Sequence, residues 1–431
     1  MKNFLIIVLG KLITSISKKL NLGEGSTWPG HLALKSNPSF IKNIVKKSKT
    51  KIVLIAGTNG KTTTGKLITA ILKENNSKVI HNDSGANLLN GIASSLLKNV
   101  DNNGKINADY AIFEIDENTL PSAIVNTNPH FVICLNLFRD QLDRYGEVDA
   151  IAKKWKNSFS KLNNSTIFIM NADDPLIANI ASGIQKKIYY FGLENKQLVI
   201  KEEQNAADSI YCPNCQNKLE YEDVYFAHLG NWKCYHCESR RPKLDISEYK
   251  YYPLFGTYNI YNTLASVMFA TLNNIPLDRI TQAFKKFKPA FGRQEKINYK
   301  NTDFYLYLSK NPTSFNESLR TVNNLNSTVL LLILNDRIPD GRDISWIYDI
   351  DFEKLLKKNQ KIIISGDRAY EMALRIKYAD IIKDYLVFDD LNDAVNYIIK
   401  KYQFQSTNIY ALPTYSAMLE LRKILTGKKI L

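Results

Sequence analysis

Apolar and polar positions follow one another along this chain in the rhythm of buried strands and amphipathic helices. The run Lys51 to Ala56, KIVLIA, is apolar after its first position, as a strand covered on both faces requires. A glycine-rich turn separates it from apolar residues at helical spacing over Thr64 to Lys73. Further strands are predicted at Tyr110 to Ile115, Phe131 to Leu137 and Thr166 to Met170, with intervals long enough for crossover helices, so a parallel sheet is expected. A second alternating region begins beyond Gly292-Arg293, with strands at Phe304 to Leu308, Thr328 to Leu334, Lys361 to Ile364, Tyr385 to Phe388 and Asn408 to Ala411. Between the two regions, Lys201 to Asp245 breaks the rhythm with polar and aromatic residues, which predicts a small insertion with little core of its own. At the start, Phe4 to Leu9 is apolar behind Lys2 but is interrupted by Gly10, Lys11 and Lys18-Lys19, too soon for the roughly 20 apolar residues of a membrane span. No signal-peptide cleavage pattern follows. An amphipathic leader is expected, either packed on the body or in contact with the inner membrane surface. The stretch Gly23 to Gly30 reads as a turn-rich connection, not helix interior.

A length of 431 residues exceeds one ordinary core and predicts an α/β protein of two or three units. The expected divisions are a leader and turn-rich segment over 1–45, a central domain over 46–298 with its insertion at 205–245, and a C-terminal α/β, Rossmann-like domain over 299–431. An apolar fraction of 45% argues against wholesale disorder. The net charge of +15 suits nucleic acid, anionic lipid, nucleotide or an acidic partner, and charge alone does not choose among them.

Two motifs carry chemistry. Cys212-x2-Cys215 and Cys234-x2-Cys237, with 18 residues between the pairs, are spaced so that two tight turns each present two thiolates to one tetrahedral zinc, a zinc-ribbon arrangement. The fifth cysteine, Cys134, lies inside FVICLNLF and is expected in the core. Gly57-Thr58-Asn59-Gly60-Lys61-Thr62 follows a buried strand and opens a helix, so its backbone N–H groups would surround a polyphosphate. There Lys61 would reach the β and γ phosphates and Thr62 would place its hydroxyl on magnesium. The general phosphate-loop pattern would have glycine at position 55, where this chain has Ile55.

The sequence GTNGKTTT, Gly57 to Thr64, resembles the loop of the Mur ligases and their folylpolyglutamate synthetase relatives, and other pieces follow in family order. The resemblance implies a Mur ligase-type central ATPase domain using ATP and magnesium, with Thr63 also in the nucleotide loop and Glu114, in Phe113-Glu114-Ile115, as a magnesium ligand. It further implies the NxDDP turn at Asn171 to Pro175, an adenine contact by Asn259 within Gly256 to Asn262, and a phosphate-facing Arg293 within Phe291 to Glu295. Gln141 stands where the family commonly has a histidine that helps hold a second magnesium, and the lysine carbamylated in many members would fall near Lys153 or Lys154 without a firm match.

Only 56 residues precede Gly57, leaving no room for the UDP-binding domain of the amino-acid-adding members. With the four-cysteine insertion and the stretch Asn335 to Asp349, this short lead resembles the MurT family, the synthetase subunits of lipid II isoglutaminyl synthase in peptidoglycan biosynthesis. That resemblance implies ATP-dependent amidation of the α-carboxylate of the stem-peptide D-glutamate to D-isoglutamine through an acyl phosphate. It implies a GatD-like glutaminase partner supplying ammonia, and lipid II at the inner membrane surface, hence a cytoplasmic protein peripheral to the membrane. In the family an aspartate orients the partner's histidine; Asp349 is the choice here, with Asp340, Asp343 and Asp351 nearby. Lys310 and Asn311, in Leu308 to Pro312, occupy the place where the C-terminal domain returns to the reaction centre. Two other readings stay open: a folylpolyglutamate synthetase-like ligase and a zinc-ribbon nucleic-acid-binding ATPase. The second is disfavoured because Lys218 and Lys233 sit among Glu220, Glu222, Asp223 and Glu238, so no nucleic acid partner is expected.

Overall fold

The computed structural model of the chain describes residues 2–19, 27–82, 85–139, 148–201, 207–405 and 407–428. Three helices come first: α1 (Lys2–Lys19), α2 (Trp28–Ser36) and α3 (Phe40–Lys46). The expected turn-rich connection is corrected here, because Trp28-Pro29-Gly30 opens α2, while 23–26 lie outside the described residues. Proline is accepted in a first helical turn, whose N–H groups have no intrahelical partner. Gly30 is required by packing: a Cβ there would stand 1.9 Å from the Asn90 carbonyl oxygen.

The central sheet is wholly parallel, built from β1 (Lys51–Ala56), β2 (Val79–His81), β3 (Tyr110–Ile115), β4 (Phe131–Cys134), β5 (Ile167–Asn171) and β6 (Lys187–Phe191) in the order β2-β3-β1-β4-β5-β6. Helix α4 (Lys61–Glu74) follows β1, and α5 (Leu89–Asn99) follows β2. On one face Val53 and Ile55 pack with Leu67, Ile68 and Ile71 of α4 and with the helix Thr257–Leu272. On the other, Ile52, Leu54 and Ala56 share a core with Ile6 and Ile7 of α1, Ala33 of α2 and Phe40 of α3. The leader is therefore part of the central unit and not a separate 1–45 segment. Strand β1 lies where the order of connection reverses, so the loops leaving β1, β3 and β4 open a crevice at their carboxyl ends.

The insertion carries the antiparallel hairpin β7 (Glu220–Phe226) and β8 (Leu229–Lys233). Its own cluster is small, Cys212, Leu219, Trp232 and Cys234 against Ala178. The Trp232 indole N–H donates to the Ala172 carbonyl at 3.0 Å and ties it to the body.

The second sheet comprises β9 (Arg293–Tyr299), β10 (Thr302–Tyr307), β11 (Val329–Ile333), β12 (Lys361–Ser365), β13 (Tyr385–Val387) and β14 (Asn408–Pro413), in the order β13-β12-β11-β14-β10-β9. It is parallel except for β9, which pairs antiparallel with β10. The expected division at 298/299 is thus corrected: 293–299 belongs to the C-terminal sheet. Lys300 and Asn301 both hold positive φ, 47° and 62°, in a two-residue hairpin turn whose twist suits two paired strands. Among the described residues no helix is long and apolar enough to cross a membrane.

Candidate active site

The loop Gly57 to Lys61 links a strand buried on both faces to the N-terminus of α4, and its shape depends on glycine. Gly60 holds φ of 91°, and a Cβ there would meet Asn262 Oδ1 at 2.2 Å. The loop is braced from β4's end, where Asn136 Oδ1 accepts from the Asn59 N–H at 2.9 Å and the Phe138 N–H donates to Thr58 Oγ1 at 3.0 Å. Residues Thr58 to Lys61 and the start of α4 line a cavity of about 470 Å³ between the central and C-terminal domains.

Within that cavity the Thr62 hydroxyl donates to Glu114 Oε2 at 2.6 Å. Glu114 is buried, and its other oxygen, Oε1, lies 3.0 Å from His81 Nε2; neither atom has a hydrogen-bonding partner elsewhere. Burial opposes ionisation of Glu114, but His81, the Thr62 hydroxyl and Arg293 together outweigh it and hold the carboxyl below its usual value. An ionised carboxylate beside a hydroxyl is the hard oxygen set that magnesium takes. Lys61 donates to the Gly57 carbonyl and lies 3.4 Å from Glu117 Oε1. Thr63 and Arg293 also line the cavity.

The C-terminal domain closes the other side. Asn311 caps the helix Pro312–Asn324 through the Ser314 N–H at 2.8 Å, and its amide lies 3.4 Å from Asn59 Oδ1. Lys310, Ser314 and Glu317 line the same space. Among the described residues the buried Asn59 amide nitrogen has no partner, an unfilled donor within the phosphate loop.

Asn259 does not line the cavity: its amide donates to the Phe255 carbonyl at 2.7 Å and its oxygen accepts from Asn262 at 3.1 Å, while Tyr258 and Asn262 take the lining positions. The Asn171 to Pro175 turn is a structural joint, where Asp173 accepts from Tyr261 Oη at 2.7 Å and from Arg241 of the insertion at 3.1 Å. Gln141 and its neighbours over 140–147 lie outside the described residues. Lys153 and Lys154 are exposed on the helix Val148–Phe159, away from the cavity lining.

The four paired cysteines converge. Their sulfur atoms all lie within 4.8 Å of one another, with Cys212–Cys237 at 3.6 Å and Cys215–Cys234 at 3.5 Å. A tetrahedron of about 2.3 Å metal–sulfur bonds has edges of about 3.8 Å, so the set suits a four-thiolate metal. Cys134 is buried, and burial pushes its thiol well above the ordinary value, which makes it inert.

Comparison with known proteins agrees with this layout. Residues 55–270 match the Mur ligase middle domain and residues 308–418 the MurT ligase C-terminal domain. The chain is 32% identical to the lipid II isoglutaminyl synthase (glutamine-hydrolyzing) subunit MurT of Staphylococcus aureus (strain COL), over 97% of this chain and 96% of that one. The chain belongs to the MurT family of Mur-type ligases. The MurT subunit of Streptococcus pneumoniae (strain ATCC BAA-255 / R6) is also 32% identical, over 95% of this chain and 94% of its own. A pseudomurein peptide ligase type C from Methanothermus fervidus shares the fold, with a TM-score of 0.66 at 23% identity over 90% of this chain and 81% of that one.

The aspartates of this MurT-family chain are sorted by their partners. Asp340 accepts from the Ser416 N–H at 2.7 Å, and Asp351 is buried, accepting from Asn316 at 2.8 Å. Asp343 accepts from the Ser345 N–H at 2.8 Å. Asp349 stands 42% exposed, 3.5 Å from an Arg139 nitrogen. His81, Glu117 and Glu317 were missed by the sequence reading, since none belongs to a recognisable motif: the fold alone brings Glu117 and Glu317 to the cavity and His81 against Glu114.

Proposed function

We propose that this chain is the synthetase subunit of a glutamine-dependent lipid II isoglutaminyl synthase. In the first step the α-carboxylate of the stem-peptide D-glutamate attacks the γ-phosphorus of ATP, the bond to the β–γ bridging oxygen breaks, and ADP leaves. Ammonia then attacks the acyl carbon, the bond to the phosphoryl oxygen breaks, and the proton shed by ammonia ends on the departing phosphate. The carrying observation is the meeting of Thr62, Glu114 and Lys61 with Lys310 of the C-terminal loop in one cavity, while the adjacent Asn311 reaches Asn59 of the phosphate loop. Bringing a carboxylate to a polyphosphate gathers anions, so Lys61, Arg293 and the loop N–H groups neutralise them. Magnesium held by Thr62 and Glu114 would supply the remaining positive charge on the phosphates.

The inert Cys134 supports an outside source of ammonia, a GatD-like glutaminase, because that chemistry needs an activated thiolate. Among the four candidate aspartates, Asp340 and Asp351 are committed internally, which favours Asp349 as the residue that orients the partner's histidine. Zinc on Cys212, Cys215, Cys234 and Cys237 is structural, since four thiolates leave no open position. A cytoplasmic location follows from the substrate's place at the inner membrane surface. The test is incubation of the chain and GatD with ATP, glutamine and lipid II. Phosphate release with amidated lipid II is expected; turnover of folate and glutamate instead would defeat the reading.

A further inference from the structure

Residues 4–12 of helix α1 are apolar except Lys11, yet only one side of this stretch is covered. Ile6, Ile7 and Gly10 are buried, and Gly10 is pressed so close to α5 that a Cβ would stand 3.0 Å from the Leu97 side chain. Phe4, Leu5, Val8, Leu9 and Leu12 remain between 42% and 57% exposed. At about 100° per residue these five fall within an arc of about 140°, opposite the buried set. Trp28, 71% exposed, and Leu32 extend the bare surface onto α2. The helix is fixed in place, with Asn37 donating to Asn3 Oδ1 at 2.7 Å. Single exposed apolar residues are ordinary, but five on one helical face are an interaction surface.

Charge selects the occupant. The first 50 residues hold nine lysines and a single acidic residue, Glu24, so this eighth of the chain supplies +8 of the net +15. An apolar helical face within a strongly basic segment is the make-up of a surface that lies in an anionic lipid interface. A second copy would bring two such charged surfaces together, which repels.

We infer that the bare face of α1, with Trp28 and Leu32, docks this protein on an anionic bilayer. The choice of a bilayer rests in part on the lipid-linked substrate proposed above; the bare face and its charge do not. Its position suits that substrate. Gly30 of α2 is seated on α5 at Asn90 and Ser94, and Leu88, which caps that same helix, lines the catalytic cavity and is half exposed. The docking face and the cavity are thus joined through α2 and α5, so docking would hold the cavity near the bilayer, where a lipid-anchored peptide is presented.

The experiment is co-sedimentation of the full chain with vesicles of phosphatidylglycerol and, separately, of phosphatidylcholine. It is paired with quenching of Trp28 fluorescence by brominated lipid, using Trp28→Phe as the blank. Expected are binding to the anionic vesicles, at least tenfold weaker binding of Leu5→Asp/Leu9→Asp, and quenching lost with Trp28. Thermal melting and nucleotide affinity of the double variant establish that it is folded. Equal binding by the folded double variant, no anionic-vesicle binding by the wild type, or a dimer that the substitutions dissolve would each overturn the inference. Turnover of a short-chain, water-soluble lipid II analogue in the presence of GatD separates the two readings. Wild type and double variant should turn it over equally; failure of both counts against the proposed reaction and leaves the vesicle result to judge the docking face.

Discussion

Replacing His81 with alanine removes the group that faces the buried Glu114 oxygen at 3.0 Å and leaves that oxygen without a partner. An orphaned buried acceptor costs about 1–3 kcal/mol, so about 2 kcal/mol is a fair central figure. At about 2–4 °C per kcal/mol for a domain of this size, melting should fall by roughly 4–8 °C. Simple loss of packing would also lower melting, so the deciding measurement is the magnesium dependence of ATP turnover. If His81 fixes the aim of Glu114, a loss of about 1.4 kcal/mol in metal binding raises the half-saturating magnesium concentration tenfold. The pH dependence has a definite sign. Glu114 is held below its ordinary value, so its contribution to stability is present above the unfolded-state value and is lost as pH falls through the folded one. Without His81, burial dominates and the folded value rises, so the acid limb of magnesium-supported activity should move to higher pH. His81→Gln, which keeps a donor, should recover part of both effects. A melting drop with unchanged magnesium dependence and an unmoved acid limb would show that His81 only fills space.

Gly60→Ala should weaken nucleotide binding at least tenfold by calorimetry, because a side chain at φ of 91° costs about 1–3 kcal/mol and its Cβ would strike Asn262. Cys234→Ser should abolish one equivalent of zinc by elemental analysis and lower the melting temperature, since the insertion's small apolar cluster does not replace the metal as a source of folding energy. Asp349→Asn should remove glutaminase activity from the reconstituted complex while nucleotide affinity stays unchanged. By contrast Asp351→Asn should cost about 1–3 kcal/mol in denaturant unfolding, because its buried bond to Asn316 is disturbed.

Features written in adjacent residues were legible without a structure. The phosphate loop declares itself because strand, glycine turn and helix follow within a short stretch, and the metal cluster because thiolate spacing maps directly onto two turns. The central parallel sheet was legible for the same reason, since β1 is apolar after Lys51 and β3 is apolar or aromatic except for Glu114. Short or half-covered strands were not: β2 has three residues, too few for a period, and β9 is an edge strand with a weak alternation. That Asn262 and not Asn259 lines the cavity was hidden because both sit on one helix, about a turn apart, and only the fold shows which of them faces the loop at Gly60.

By itself the sequence determined that Phe4 to Leu9 belongs to an amphipathic leader, that a polyphosphate loop follows a buried strand, and that four thiolates can meet on one metal. Those properties depend on neighbours in the chain. Only the tertiary structure decided that His81 stands against Glu114, that Asn311 reaches Asn59 from another domain, and that α1 buries Ile6 and Ile7 while leaving Leu5 and Leu9 bare. Each of these depends on residues far apart in the chain, because the site lies at the junction of two sheets and the exposed face of a helix is whatever its packing partners leave uncovered.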